Sequence, residues 1–480
     1  MHTFSPKQSK AAGSSWLSLV ATTAVVGSIL GASTSWAAET ATATGAPNPG
    51  RQPASAHPAS AGLEKPNWLS DLSLAVKEGY DDNVYLSGAS PQFLPAAYTL
   101  PPGSVAAIKD RTSWVTTVSP KIGINLAPVL GSDCVQAIAL GYSPDFAIYH
   151  NQPTEDYLAH RFPSVIKVKA DSVSLKLDNG FAYIDGSSVA PTYPGALLSA
   201  FGTGAPRERR QQIQDRGSVV LQYDLDRWFV RPTASLLYYD LMTRLVNVTG
   251  YQNYPDRFDV NGGADLGFKV LPQLAGTVGY RTGHQFQQQF DFSSYSSPSD
   301  YQRIVLGVEG KPWPWLELKL QGGPDFRSYP SDTATHITPV GNKHPTTYFG
   351  EGLVTATVTT NDCITFKYKQ FQWVSSIGKV PYFDSCFDLS YHRKLTQRLG
   401  FDAGARVLGA DYTSGDLATC KRNDLQYTVC LGIGYQIAPH IVVNTSYSLD
   451  LGRNAQEAVV NPETREYERD LVSAGLTVKF

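Results

Sequence analysis

Apolar residues recur at every second position in about eighteen stretches between Trp68 and Phe480, each roughly ten residues long. In Leu425 to Ile437, the residues Leu425, Tyr427, Val429, Leu431, Ile433, Tyr435 and Ile437 are apolar. Between them stand Gln426, Thr428, Cys430, Gly432, Gly434 and Gln436, all small or polar. Ile441, Val443, Tyr447, Leu449 and Leu451 oppose Asn444, Ser446, Ser448 and Asp450 in the same way. Successive side chains of a strand point to opposite faces, so each stretch predicts a strand with one face for lipid and one for water. A packed soluble barrel of this size would leave its middle unfilled, whereas small and polar inward positions suit a water-filled one. The expected fold is all-β: a transmembrane antiparallel β-barrel of about 18 strands, with about 16 as the lower bound.

The connectors between these stretches take turns in length. Short ones fall at Ala127 to Asp133, Ala170 to Ser172, Asp224 to Arg227, Leu271 to Gln273, Lys311 to Trp315, Thr359 to Asp362, Leu395 to Gln397 and Ile437 to His440. Several carry Pro, Asn or Asp, the chemistry of tight turns. Long ones include Leu86 to Arg111, Asp185 to Arg209, Pro330 to Pro345, Thr413 to Asn423 and Asn454 to Glu466. Tight turns inside and long loops outside are what a barrel of the outer membrane requires, and an even strand count returns the last strand to the side of the first.

The N-terminal region divides into two parts. Lys7 and Lys10 precede an apolar run from Trp16 to Leu30, followed by the small residues Ser35, Ala37 and Ala38 around Trp36. Residues 1–37 therefore read as a cleavable secretory signal. Residues 38–67, rich in Ala, Thr, Pro and Ser, read as a disordered periplasmic leader, and residues 68–480 as the barrel. No other stretch approaches the roughly 20 apolar residues of a membrane-spanning helix, and no Cys lies near the cleavage point to carry a lipid. At the other end, Val472, Ala474, Leu476, Val478 and Phe480 share one face of the last strand, opposite Ser473, Gly475, Thr477 and Lys479. A final strand ending on Phe resembles the assembly signal of Gram-negative outer-membrane proteins. That resemblance implies that Val472, Leu476, Val478 and Phe480 address the chain to the barrel assembly machinery.

Averages conceal this design. The mean hydropathy of −0.21 and the 17% charged and 42% hydrophobic residues would suit a soluble chain, because only alternate residues of each strand meet lipid. The 26 Tyr and 8 Trp suit interfacial girdles, and the 2 Met and 5 Cys an oxidising exterior. Cys134, Cys363, Cys386, Cys420 and Cys430 are odd in number, so at least one lacks an intrachain partner. A net charge of −2 argues against nucleic acid as a partner.

With the apolar positions turned to lipid, the charged ones turn inward: Lys176, Asp178, Asp259, Asp265, Lys269, Glu317, Lys319, Asp325, Arg327, Lys367, Lys369, Asp402 and Arg406. As a group they are candidate pore-lining residues, and their mixed signs predict weak selectivity; the plainer reading is that they pair with one another along the wall. Two connectors are apolar for loops, Gln92 to Leu100 and Tyr193 to Phe201, and exposed apolar loops need a partner. A constriction in the mouth, a lid and a subunit latch all answer that need. Arg207, Arg209 and Arg210 could meet lipopolysaccharide phosphates or simply be solvated.

The segment Glu78 to Val84, E-G-Y-D-D-N-V, offers Asp81, Asp82 and Asn83 as oxygen donors. Without a spaced ligand pattern, a capped turn fits better than a calcium site, and no metal or cofactor is expected. Together with L-D-N-G-F-A-Y-I-D-G from Leu177 to Gly186, these short motifs resemble the bacterial outer-membrane family of β-barrel porins of the second type. The resemblance implies fold and location, and links to envelope or exopolysaccharide functions. The nine His residues form no metal-binding or nucleophile motif, so an enzyme is not expected. The expected function is a passive channel for small hydrophilic solutes. The alternative is a loop-closed barrel for exopolysaccharide export or surface attachment. Lipid and lipopolysaccharide are the expected surroundings, and oligomeric state is left open, a homo-oligomer among the options.

Overall fold

The computed structural model describes residues 66–84, 111–186, 211–242, 256–288, 298–330, 343–374, 381–412, 422–456 and 467–480. The expected signal, nearly all of the leader, both apolar loops, Arg207 to Arg210 and Cys420 lie outside these residues. The alternating stretches form strands in chain order: β1 (Leu69–Asp81), β2 (Ser113–Asn125), β3 (Val135–Tyr142), β4 (Asp145–Tyr149), β5 (Tyr157–Ala170) and β6 (Val173–Asp185). β7 (Gln212–Leu225), β8 (Trp228–Asp240), β9 (Arg257–Leu271), β10 (Leu274–Gln287), β11 (Ser299–Trp313) and β12 (Leu316–Ser328) follow. The last are β13 (Thr346–Thr357), β14 (Asp362–Trp373), β15 (Tyr382–Lys394), β16 (Leu399–Tyr412), β17 (Arg422–Ala438), β18 (Ile441–Gln456) and β19 (Tyr467–Lys479). Apart from β3 and β4, each pairs antiparallel with its chain neighbours, and β19 pairs back onto β1 from Ser73↔Lys479 to Asp81↔Leu471, so the sheet closes into a barrel without an edge.

β3 and β4 occupy one stave, since both pair with β2 on one side and β5 on the other. Nineteen segments less this one duplication make eighteen staves. Val118↔Phe146 and Ile122↔Tyr142 keep one register across the gap, which sets Pro120 opposite Pro144. Neither proline has an N–H to offer the other, so the ladder fails there and resumes beyond. Pro163 of β5 stands against Gly141 at the same break.

The short connectors all lie at one end of the barrel, and the first of them carries a four-residue helix, Ala127–Leu130. Those at the other end are mostly long, with 150–156 between β4 and β5 a short exception built around a 3-10 turn, Pro153–Glu155. The outer face is apolar: Leu72, Val76, Ile122, Val278, Leu306, Leu320, Phe366 and Val429 are all exposed. Aromatic rings collect at both rims. Tyr80 and Trp114 meet at 5.4 Å near the loop end, and Trp313 and Trp315 stack at 5.7 Å near the turn end. No helix among the described residues is long and apolar enough to cross a membrane. A closed antiparallel barrel with an apolar outer face and a charged inner one is the architecture of an outer-membrane β-barrel.

Candidate functional site

The lumen wall is built from the inward positions of every stave. The charged residues read from the sequence stand on these strands at positions alternating with the exposed apolar ones: Lys176 and Asp178 on β6, Asp259, Asp265 and Lys269 on β9, and Glu317, Lys319, Asp325 and Arg327 on β12. Lys367 and Lys369 on β14 and Asp402 and Arg406 on β16 complete the set. Most are paired. Lys176 meets Asp178; Lys269 meets Asp224 at 3.0 Å, Glu317 meets Lys311 at 2.8 Å, Asp402 meets His392 at 2.7 Å and Arg406 meets Asp388 at 2.8 Å. Asp259 accepts a hydrogen bond from the Tyr301 hydroxyl at 3.0 Å.

The firmest pairs involve arginines that the periodicity did not single out. Arg231 of β8 reaches across two staves to clamp Glu309 of β11 with both terminal nitrogens, at 2.6 and 3.0 Å, while its Nε holds Asp265 at 3.1 Å. Arg281 takes the other oxygen of Asp265 at 2.7 Å. Higher in the barrel, Arg303 and Arg327 both hold Asp325, each at 2.9 Å. The guanidinium fork matches two carboxylate oxygens at once, which favours Arg over Lys for these buried positions. Glycines let the network lie flat. A Cβ on Gly279 would stand 2.0 Å from the Asp265 carboxylate, and one on Gly283 would stand 2.4 Å from the Tyr301 ring. Removing those side chains leaves room for charged and aromatic groups to lie against the wall, clear of the lumen.

Near the loop end the lumen departs from the sequence expectation that inward positions are small or polar. The end of the β14–β15 hairpin crosses toward the opposite wall. Trp373, Tyr382 and Ala410 form a buried cluster with Tyr239 of β8. Arg257 lies over the rings of Tyr239 and Trp373, at 5.0 and 5.4 Å from their centres, and donates to the Val374 carbonyl at 3.3 Å. The Gln372 carbonyl accepts from Arg327 and from Gln285 of β10, both at 3.1 Å. Side chains from β8, β9, β10 and β12 thus hold one hairpin across part of the mouth. Trp373 shares the face of Lys367 and Lys369, so alternation turns it inward, but strand spacing does not state that it is buried against Tyr239 of β8, which hides this feature in the sequence.

The E-G-Y-D-D-N-V segment is a clasp. Arg469 of β19 grips Asp81 through Nε at 3.1 Å and a terminal nitrogen at 2.7 Å. Asn83 caps Asp81 through its own backbone N–H at 3.0 Å and donates from Nδ2 to the Glu468 carbonyl at 2.8 Å. The Asp470 N–H donates to Asp82 at 2.7 Å. These oxygens close the seam between first and last strands, and no metal-holding group of acids, His or Cys is present among the described residues. On β19, Val472, Leu476 and Phe480 are exposed on the outer face, with Val478 beside them, and the Phe480 N–H donates to the Leu72 carbonyl at 2.9 Å. Cys134, Cys363, Cys386 and Cys430 are unpaired.

No protein-family model matches this chain, and no curated protein does. Many solved structures resemble it in fold. OccAB4 of Acinetobacter baumannii aligns over 87% of this chain and 100% of its own, with 13% identity and a TM-score of 0.38. OpdK of Pseudomonas aeruginosa with vanillate aligns over 86% and 100%, with 11% identity and a TM-score of 0.41. A mutant form of the ferric enterobactin receptor PfeA of Pseudomonas aeruginosa aligns over 86% and 81%, with 8% identity and a TM-score of 0.39. At these values the likeness carries no argument about what passes through the barrel.

Proposed function

We propose that this chain is an outer-membrane porin, a passive channel for small hydrophilic solutes rather than an enzyme. The observation that carries this reading is the closed wall of eighteen staves, apolar outside and lined inside by charges that glycine positions such as Gly279 hold against the wall. The turn end is periplasmic and the loop end extracellular. Export through a cleaved signal, residues 1–37, and delivery to the assembly machinery through Val472, Leu476, Val478 and Phe480 belong to the same proposal. So does membership in the β-barrel porins of the second type, which rests on the motifs at Glu78 to Val84 and Leu177 to Gly186.

The β14–β15 hairpin favours a second reading, in which a barrel with a partly closed mouth serves exopolysaccharide export or surface attachment. Planar-bilayer recording of the folded, heat-modifiable protein separates the two. Steady single-channel conductance is expected for the porin. A folded but silent barrel that binds envelope polysaccharide would establish the second reading in its place.

A further inference from the structure

The carboxylates of the lumen are distributed unequally among its cations. Glu309 is the register neighbour of Lys319, yet Arg231 holds both its oxygens at 2.6 and 3.0 Å. Asp388 is the register neighbour of Lys367, yet Arg406 holds it at 2.8 Å. Glu351 is the register neighbour of Lys369, yet it accepts from Gln321 at 2.9 Å, and the Lys369 ammonium rests 4.8 Å from the centre of the Phe371 ring. On the far side Lys167 stands beside Lys176 in register, and Asp178, one inward position further along β6, is taken by Lys176. Lys169 follows one inward position later on β5.

Arginine wins the first two of these competitions because a planar fork makes two directed bonds where an ammonium makes one. Lys167, Lys169, Lys319, Lys367 and Lys369 consequently have no carboxylate at ion-pair distance among the described residues. Their placement is also ordered. With β3 and β4 counted as one stave, eight staves (β6 to β13) separate β5 from β14 one way round. Eight more (β15 to β19, β1, β2 and the broken stave) separate them the other way. The two lysine groups therefore oppose each other across the lumen. Lys167 lies three residues from the turn end of β5 (Ala170) and Lys319 three from that of β12 (Leu316), while Lys367 and Lys369 stand five and seven residues from that of β14 (Asp362), so the section runs from near the turn end to mid-barrel.

We infer that these opposed lysines form an anion-attracting section of the channel, and that the solutes it favours are small anions carrying carboxylate or phosphate groups. This replaces the weak selectivity expected from a mixed-charge wall. Paired charges cancel within a few ångströms, while unpaired ones act across a Debye length of about 8 Å in physiological salt, and over a greater reach where low-dielectric walls focus the field. The inference rests on the channel reading, from which it can be separated by one experiment.

Reversal potentials are recorded for the full protein in planar bilayers across a KCl gradient. The expected chloride-to-potassium permeability ratio is above unity, and K319E/K367E/K369E is expected to bring it below unity. K167E/K169E should lower it several-fold, and the corresponding Lys→Arg variants should leave it unchanged. Heat-modifiable mobility confirms that each variant is folded. Conductance without anion preference, or a preference that survives both sets of reversals, would overturn the inference and leave the channel standing. A silent wild-type barrel would overturn both.

Discussion

Because Leu476 points outward between its register partners Val76 and Val443, an Arg there has to bring its charge into the hydrocarbon layer. L476R is expected to cost about 2–4 kcal/mol in folding into lipid vesicles. T477R should cost far less, since Thr477 faces the lumen, where Asn444 Nδ2 donates to it at 3.3 Å; equal losses would contradict the assignment of faces. The seam offers a second test. Asp81 is fully buried against Arg469, and removing one partner of a buried pair typically costs about 3–5 kcal/mol because the other charge is left alone. In urea unfolding, D81A should therefore be worse than D81A combined with R469M; additive losses would show that the clasp is not a coupled pair. The inward facing of individual lysines and acids was legible from alternation alone. Their partners were not, because Arg231 meets Glu309 only through the registers of three successive strand pairings, which sequence spacing does not state.

At the scale of elements, the β14–β15 hairpin is the feature most open to manipulation. Trp373 is anchored by Tyr239, Tyr382 and the Arg257 guanidinium, so W373A removes both a buried aromatic and the clamp's apolar centre. A loss of about 3–5 kcal/mol is expected for such a truncation, together with a rise in single-channel conductance as the hairpin end is freed. Unchanged conductance in a folded variant would show that the hairpin lies clear of the conducting path. The strands themselves were readable as elements because period-two alternation survives over each one. Their bounds were less so: the alternation runs through Ser143 and Pro144 without interruption, and only the register with β2 reveals two prolines face to face.

For the molecule as a whole, the Phe480 N–H joins the last strand to Leu72 of the first at 2.9 Å, the place where the cylinder is closed. Deleting Phe480 is expected to slow membrane insertion and increase periplasmic degradation while export continues; normal amounts of heat-modifiable protein would show that the ending is incidental. Barrel architecture and strand number were legible in the sequence because turn chemistry alternates with loop length around the whole circuit. The partial closure of the mouth was not, since it depends on where one hairpin bends. The interrupted third stave sets the order in which the cylinder loosens. Amides in an unbroken ladder exchange hydrogen only when neighbouring strands part together, which ties them to the largest opening free energies. Where Pro120 faces Pro144 that cooperativity is cut, so within this part of the wall deuterium should enter first at the ladder pairs bordering the break, Val118 with Phe146 and Ile122 with Tyr142, while Ser143, whose N–H donates to the Arg161 carbonyl at 3.0 Å, and the remaining staves stay protected.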